Sequence, residues 1–323
     1  MSNRKILLIL AGVLFVLGFR ANADPEQRIK ARHEILADVS PEELPDIELL
    51  SNPDYVNAWI PAGTEVLRDL AYGSAPKQTL DVYLPAKQSK NAPVIFIIHG
   101  GAWRFGDKAH KGTVQNKVTR WVPKGFIVVS INYPLVPEAG PLDQAKSVAK
   151  ALAYTQSAAA QWGGDSNKFV LIGHASGAHI ATLLNADPQL ATAQGAKPWL
   201  GTVAIDDFVM DVVELMSRRH LRSFDRIFGE DPEYWLRVSP ARVLAGPSAP
   251  ILLPCSLARE PHCKQANLFA DAAKRYGSQA SVLPVDLSLS DTDRELGVPG
   301  PYTEQVESFL AMLDPQVKAM LLK

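Results

Sequence analysis

Two kinds of hydrophobic run alternate along the chain from residue 78 onward. The first is short and β-branched. APVIFIIHG at 92–100 and GFIVVSINY at 125–133 are nearly unbroken, the texture of strands buried on both faces. QTLDVYLP at 78–85 alternates with period two and predicts an early, half-exposed strand. KFVLIG (168–173), LGTVAID (200–206), APILLPCS (249–256) and QASVLPVDL (279–287) continue the series. The second kind is longer and helical. The run 141–162 carries Pro141 in its first turn and stops at Gly163–Gly164, 263–277 ends on Gly277, and YTEQVESFLAML is the last. Strands separated by helices of this length pair in parallel through right-handed crossovers, so the pattern predicts an α/β protein with a mostly parallel, doubly wound sheet. Residues 207–245 interrupt the rhythm with helical text rich in Met, Arg, Phe and Trp. They are expected to cap the C-terminal edge of the sheet, where ligands bind in such folds.

The N-terminus follows a different pattern. Arg4 and Lys5 precede the apolar run Ile6 to Phe19, and Ala21-Asn22-Ala23 follows. This predicts a signal peptide over 1–23, cleaved after Ala23, and a periplasmic or secreted chain; an uncleaved anchor is the alternative. The run is too short to span a bilayer comfortably, so no stable membrane span is expected after cleavage. Residues 24–63 read as a helical extension broken by Pro41, Pro45 and Pro53, and 64–323 as the α/β domain. Charge changes little in this picture. With 33 Lys and Arg against 34 Asp and Glu, a net charge of -1 and no basic block, nucleic acid is not an expected partner. Cys255 and Cys263, the two cysteines of the chain, most simply form one disulfide in an oxidising compartment; two buried thiols are the alternative.

Two stretches carry candidate chemistry. HGGAWRFGD at 99–107 directly follows a buried strand, and a His-Gly-Gly turn lets backbone N–H groups face a ligand closely. Such donors stabilise the oxyanion formed in acyl transfer. Some 75 residues on, FVLIGHASGAHIATLL at 169–184 places a Gly-x-x-x-Gly frame between a strand and a helix. Together with LDVYLP, INYPLVPEA, QWGGD and RELGVPGPYTEQVESFL, these motifs resemble the HGG-type branch of the α/β-hydrolase superfamily: carboxylesterases, lipase-like enzymes and feruloyl-esterase-like proteins. The resemblance runs over residues 64–312 and implies an α/β-hydrolase fold with a helical cap. It places the oxyanion hole at the N–H groups of Gly100, Gly101, Ala102 and Ser176. No cofactor is expected, and no metal, because no spacing of His, Cys, Asp or Glu matches a recognised ligand set.

The same resemblance exposes two departures. The elbow of this branch commonly reads Gly-His-Ser-Ala-Gly, so the nucleophile position is Ala175, with Ser176 one residue late. The catalytic His belongs on the loop after the last strand, where DLSLSDTD puts Leu289, and no histidine follows His262. Glu260 stands near the usual place of the acid. A substitute set of Ser176, His262 and Asp206 or Asp207 needs every member relocated at once. An alanine installed by design explains position 175 but not 289, so the double departure favours natural inactivation. The expectation is a pseudoenzyme of carboxylesterase type that keeps its pocket for an ester-like or acyl ligand, or for a partner protein. An ester hydrolase using Ser176 or a non-standard base, and a cell-envelope interaction module, are the alternatives.

Overall fold

A computed structural model describes residues 59–87, 90–258 and 260–322. The expected signal peptide and nearly all of the expected N-terminal extension lie outside these residues. The eight strands are β1 (Glu65–Ala71), β2 (Thr79–Leu84), β3 (Ala92–Ile98), β4 (Ile127–Ile131), β5 (Gly164–His174), β6 (Gly201–Ile205), β7 (Ile251–Ser256) and β8 (Ala280–Val285). They form one sheet in the order β1-β2-β4-β3-β5-β6-β7-β8. From β4 to β8 every pairing is parallel, whereas β2 runs antiparallel to both β1 and β4.

The helices are α1 (Lys111–Trp121), α2 (Pro141–Ala158), α3 (Ser176–Ala186), α4 (Pro188–Thr192), α5 (Val212–Met216), α6 (Arg222–Phe228), α7 (Pro232–Arg237), α8 (Pro240–Val243), α9 (Glu260–Arg275), α10 (Leu289–Arg294), α11 (Pro301–Leu313) and α12 (Pro315–Leu321). Two apolar layers sandwich the sheet. On one face Val94, Phe96, Val129 and Leu171 pack with Ala145, Leu152 and Leu184 of α2 and α3. On the other Ile95, Ile97, Val128 and Ile172 pack with Val118 and Trp121 of α1 and Phe309 of α11. Alternate residues of one strand thus reach opposite layers, which is why the central strands read as unbroken apolar runs. The described residues from Trp59 onward form one contact unit, and no helix among them is long and apolar enough to cross a membrane.

Two expectations change. β2 is buried along nearly its whole length rather than half-exposed. Its polar alternate, Asp81, is sealed inside by Lys108 at 2.7 Å and Arg68 at 3.0 Å. The text after β8 is a short helix, α10, capped by the Ser288 side chain, rather than an open loop. Residues 207–245 fold as the four short helices α5 to α8 between β6 and β7. Their core is Val209, Val212, Phe224, Ile227 and Phe228, packed on Trp103 beside the C-terminal ends of the strands.

Candidate functional site

The parallel strands end together, and the chain reversals at β3, β5, β6, β7 and β8 bring the candidate residues to one edge. β5 ends at His174, Ala175 turns with φ 48° and ψ -115°, and α3 starts at Ser176. A non-glycine residue in that region costs on the order of 1–3 kcal/mol and persists only where its surroundings over-determine it. Here the Ala175 N–H donates to the Ile205 carbonyl at 2.9 Å, and its carbonyl accepts from the His179 N–H at 2.9 Å. The glycines of the frame allow the close approach. A Cβ on Gly177 would lie 2.3 Å from the Ile98 oxygen and 2.4 Å from the His99 oxygen, so α3 seats on the end of β3 only without one. The apex therefore has elbow geometry and presents a methyl group. Ser176 does not replace it. Its side chain is buried beside Tyr133, and the hydroxyl makes no hydrogen bond of ordinary geometry.

The turn after β3 is equally constrained. Gly101, Ala102 and Trp103 all have positive φ, 128°, 53° and 60°. The Gly101 carbonyl accepts from the N–H groups of Arg104 and Phe105, and the Trp103 carbonyl from Val136 N–H at 2.9 Å and Gln144 Nε2 at 2.8 Å. A Cβ on Gly100 would meet the His174 oxygen at 2.8 Å, which puts this turn directly against the elbow. No hydrogen bond among the described residues uses the N–H groups of Gly101, Ala102 or Ser176. His99 lies beneath the turn, stacked on Tyr133 at 4.6 Å, with Nδ1–H donating to the Gly100 carbonyl. Burial pulls its pKa down to about 4, so it stays neutral at ordinary pH.

Leu289, at the expected histidine position, opens α10, and its carbonyl accepts a hydrogen bond from His174 Nε2 at 2.8 Å. Beneath it lies a buried cluster. Asp293 takes Lys117 Nζ at 2.7 Å and Thr113 Oγ1 at 2.8 Å, with His174 Nδ1 3.7 Å away. Burial acts to raise the Asp293 carboxyl pKa, but Lys117 and His174 outweigh it and hold the group below its ordinary value. Glu260 is the first residue of α9, and its side chain lies outside the described ones.

One relocated pair does form. His262 Nδ1 lies 2.7 Å from Asp206 Oδ1, an oxygen that also accepts the Ser256 N–H at 2.9 Å. Asp206 has φ 57° and directly follows β6, whose last residue, Ile205, holds the Ala175 N–H. Ser176 is not joined to the pair, so the three-member set weighed from sequence is not assembled. Asp207 points elsewhere, accepting the Val209 N–H, and burial pushes its pKa up to about 7. A disulfide joins Cys255 to Cys263, tying the end of β7 to the residue after His262. From His262 an aromatic arc returns to the turn after β3. His262 stacks on Phe208 at 4.9 Å, Phe208 meets Phe224 at 6.3 Å, Phe224 meets Phe228 at 6.0 Å, and Phe228 meets Trp103 at 5.2 Å. A cavity of about 760 Å³ between Pro61, Pro85, Val122 and Met320 sits at the opposite edge of the sheet and contains none of these groups.

The family model described as BD-FAE matches residues 80–206, from β2 through the residue after β6. Kynurenine formamidase of Danio rerio is 33% identical over 121 residues, covering 38% of this chain and 39% of its own length. Isoprenylcysteine alpha-carbonyl methylesterase ICME of Arabidopsis thaliana is 26% identical over 237 residues, covering 68% of this chain and 55% of its own. The chain spans only part of the length of the curated relatives it matches, between 24% and 55% for those such as these. Among solved structures, esterase B from Lactobacillus rhamnosis with a tributyrin phosphonate inhibitor superposes with a TM-score of 0.65 at 19% identity. That likeness covers 93% of this chain and 97% of the esterase, and at this identity it bears on the fold.

Proposed function

We propose that this chain, a carboxylesterase-type α/β-hydrolase, is a pseudoenzyme with respect to serine chemistry: it keeps a pocket for an ester-like or acyl ligand and lacks the acyl-transfer nucleophile. The observation that carries this reading is the apex of the elbow. Ala175 holds the strained backbone of a nucleophile position, next to three N–H groups with no hydrogen-bond partner among the described residues, and offers only a methyl group. Oxyanion donors are backbone groups, so losing a serine hydroxyl leaves them in place. Removing triad members from a serine hydrolase leaves only the residual catalysis that the oxyanion hole and binding supply. Leu289 provides no imidazole, and the buried Ser176 hydroxyl has no base beside it.

The esterase B structure carries a phosphonate derived from an ester, and the curated relatives are named for ester or formamide hydrolysis. Those names support an ester or acyl ligand here. The aromatic arc from Trp103 to His262 supports an apolar chain on that ligand. We place the mature chain in the periplasm or outside the cell, a reading supported by the basic-then-apolar N-terminus and by the disulfide. Calorimetric titration with butyrate tests the pocket and a fluorophosphonate tests the chemistry. The expected result is saturable butyrate binding with no covalent adduct. A serine adduct, or no binding, overturns the reading.

A further inference from the structure

We propose that Asp206 and His262 form a relocated acid–base pair that serves this same pocket, driving direct attack of water on a bound ester without an acyl-enzyme. The proposal rests on the reading of the pocket as an ester site and adds a reaction to it. The pair has the orientation such chemistry needs. The carboxylate fixes Nδ1 at 2.7 Å and the Ser256 N–H fixes the carboxylate, so the other ring nitrogen is the one left for chemistry. His262 is 4% exposed and stacked on Phe208, and its Nε2 has no hydrogen-bond partner among the described residues.

Placement agrees. Acid and base have each moved one strand toward the elbow relative to the arrangement the resemblance implies, to the ends of β6 and β7. Asp206 is the residue after Ile205, whose carbonyl accepts the Ala175 N–H, so the pair is anchored at the strand end next to the elbow. The backbone is strained to achieve this: Asp206 has φ 57° without being glycine. The disulfide at Cys263 fixes the neighbouring backbone, restricting where the imidazole can go. With no serine hydroxyl at position 175, water rather than a side chain is the nucleophile facing the donors.

The step balances without a co-reactant. Water attacks the ester carbonyl carbon as its proton passes to His262 Nε2, and the carbonyl π pair moves to the oxygen facing the N–H groups of Gly101, Ala102 and Ser176. On collapse the bond to the alcohol oxygen breaks, and the imidazolium returns its proton to that oxygen. The products are a carboxylic acid and an alcohol, with no change in oxidation state.

The test is hydrolysis of 4-nitrophenyl butyrate by the full chain and its variants. Slow turnover above the buffer rate is expected, and His262→Gln should lower kcat/KM by on the order of 100-fold, the usual scale of general-base catalysis, with Kd for butyrate unchanged. Asp206→Asn should lower it as well, and His262→Gly should regain turnover when imidazole is added, which a structural role would not produce. His220→Gln, on a half-buried cap histidine paired with Asp225, should leave turnover unchanged. If His262→Gln does not fold, Asp206→Asn and the imidazole rescue decide. Turnover at the buffer rate in the native chain, or turnover indifferent to His262, overturns the proposal. Butyrate binding with neither turnover nor a serine adduct sinks this inference alone, whereas an adduct or absent binding sinks the reading beneath it.

Discussion

Two buried carboxylates flank the elbow, and they are treated in opposite ways. Asp293, on the α10 side, is saturated by Lys117, Thr113 and the nearby His174, and the Lys117 ammonium also donates to the Asp293 backbone carbonyl at 2.7 Å. Asp206, on the β6 side, has one oxygen filled by His262 and Ser256, while Oδ2 is buried with no partner among the described residues. A saturated network in a low-dielectric interior fixes geometry, whereas an unsatisfied group there costs free energy unless something uses it. The first cluster therefore reads as a lock that joins α1 and α10 to the elbow, and the second as the group available for chemistry. Leu289, at the position the resemblance gives to a histidine, fits this division, because the α10 side holds the elbow.

The sharpest way to break the comparison is Lys117→Met, which strands a charge at Asp293. Removing one partner of a buried pair costs about 3–5 kcal/mol, readable by urea unfolding, and pairing it with Asp293→Leu should recover much of the loss. A cost near zero would remove the lock. Next in size is the disulfide. Cys255→Ser with Cys263→Ser should cost about 2–4 kcal/mol and, on the Asp206 side only, lower ester turnover along with stability. Turnover that survives intact would show that His262 holds its place without the bridge.

The smallest effect is a pH slope. Burial sets the native pKa of His99 and His179 at about 4 against an ordinary 6.5, so between those values the native state binds fewer protons than the unfolded chain. Stability contributed by these two groups therefore rises with pH over that window. Asp207 works in the other direction. With a native value of about 7 against an ordinary 3.8, it keeps a proton that the unfolded chain has lost, and its contribution falls as pH rises. Asp207→Asn should steepen the rise of stability by about one proton, ~1.4 kcal/mol per pH unit at most, measured by denaturant unfolding from pH 4.5 to 6.5. An unchanged slope would show that Asp207 is ionised in the native protein.

The parts of this molecule visible in its sequence are those with local causes. β3, β4, β6 and β7 are buried on both faces, so each residue must be apolar or inwardly bonded and the runs stand out. The elbow and the turn after β3 need glycine wherever a Cβ would collide, which marks their backbone directly. β1 was hidden because an irregularity between Leu67 and Leu70, with Asp69 at φ 55°, breaks its alternation. α10 was hidden because DLSLSDTD has loop composition, and Asp293 becomes a buried anchor only through Lys117, 176 residues away in sequence. Asp206 and His262, 56 residues apart, likewise meet only because two crossovers end side by side. Backbone machinery was thus legible, whereas the Asp293 cluster was not, and the pairing of His262 with Asp206 was legible only as one candidate beside Asp207.

The most direct measurement of the central claim is the intact mass of the chain after exposure to a fluorophosphonate, alongside the variant carrying Ala175→Ser and Leu289→His. The native chain should show no mass increase and the variant one adduct, on residue 175, because the oxyanion donors await only a nucleophile and a base. An adduct on Ser176 of the native chain would contradict it.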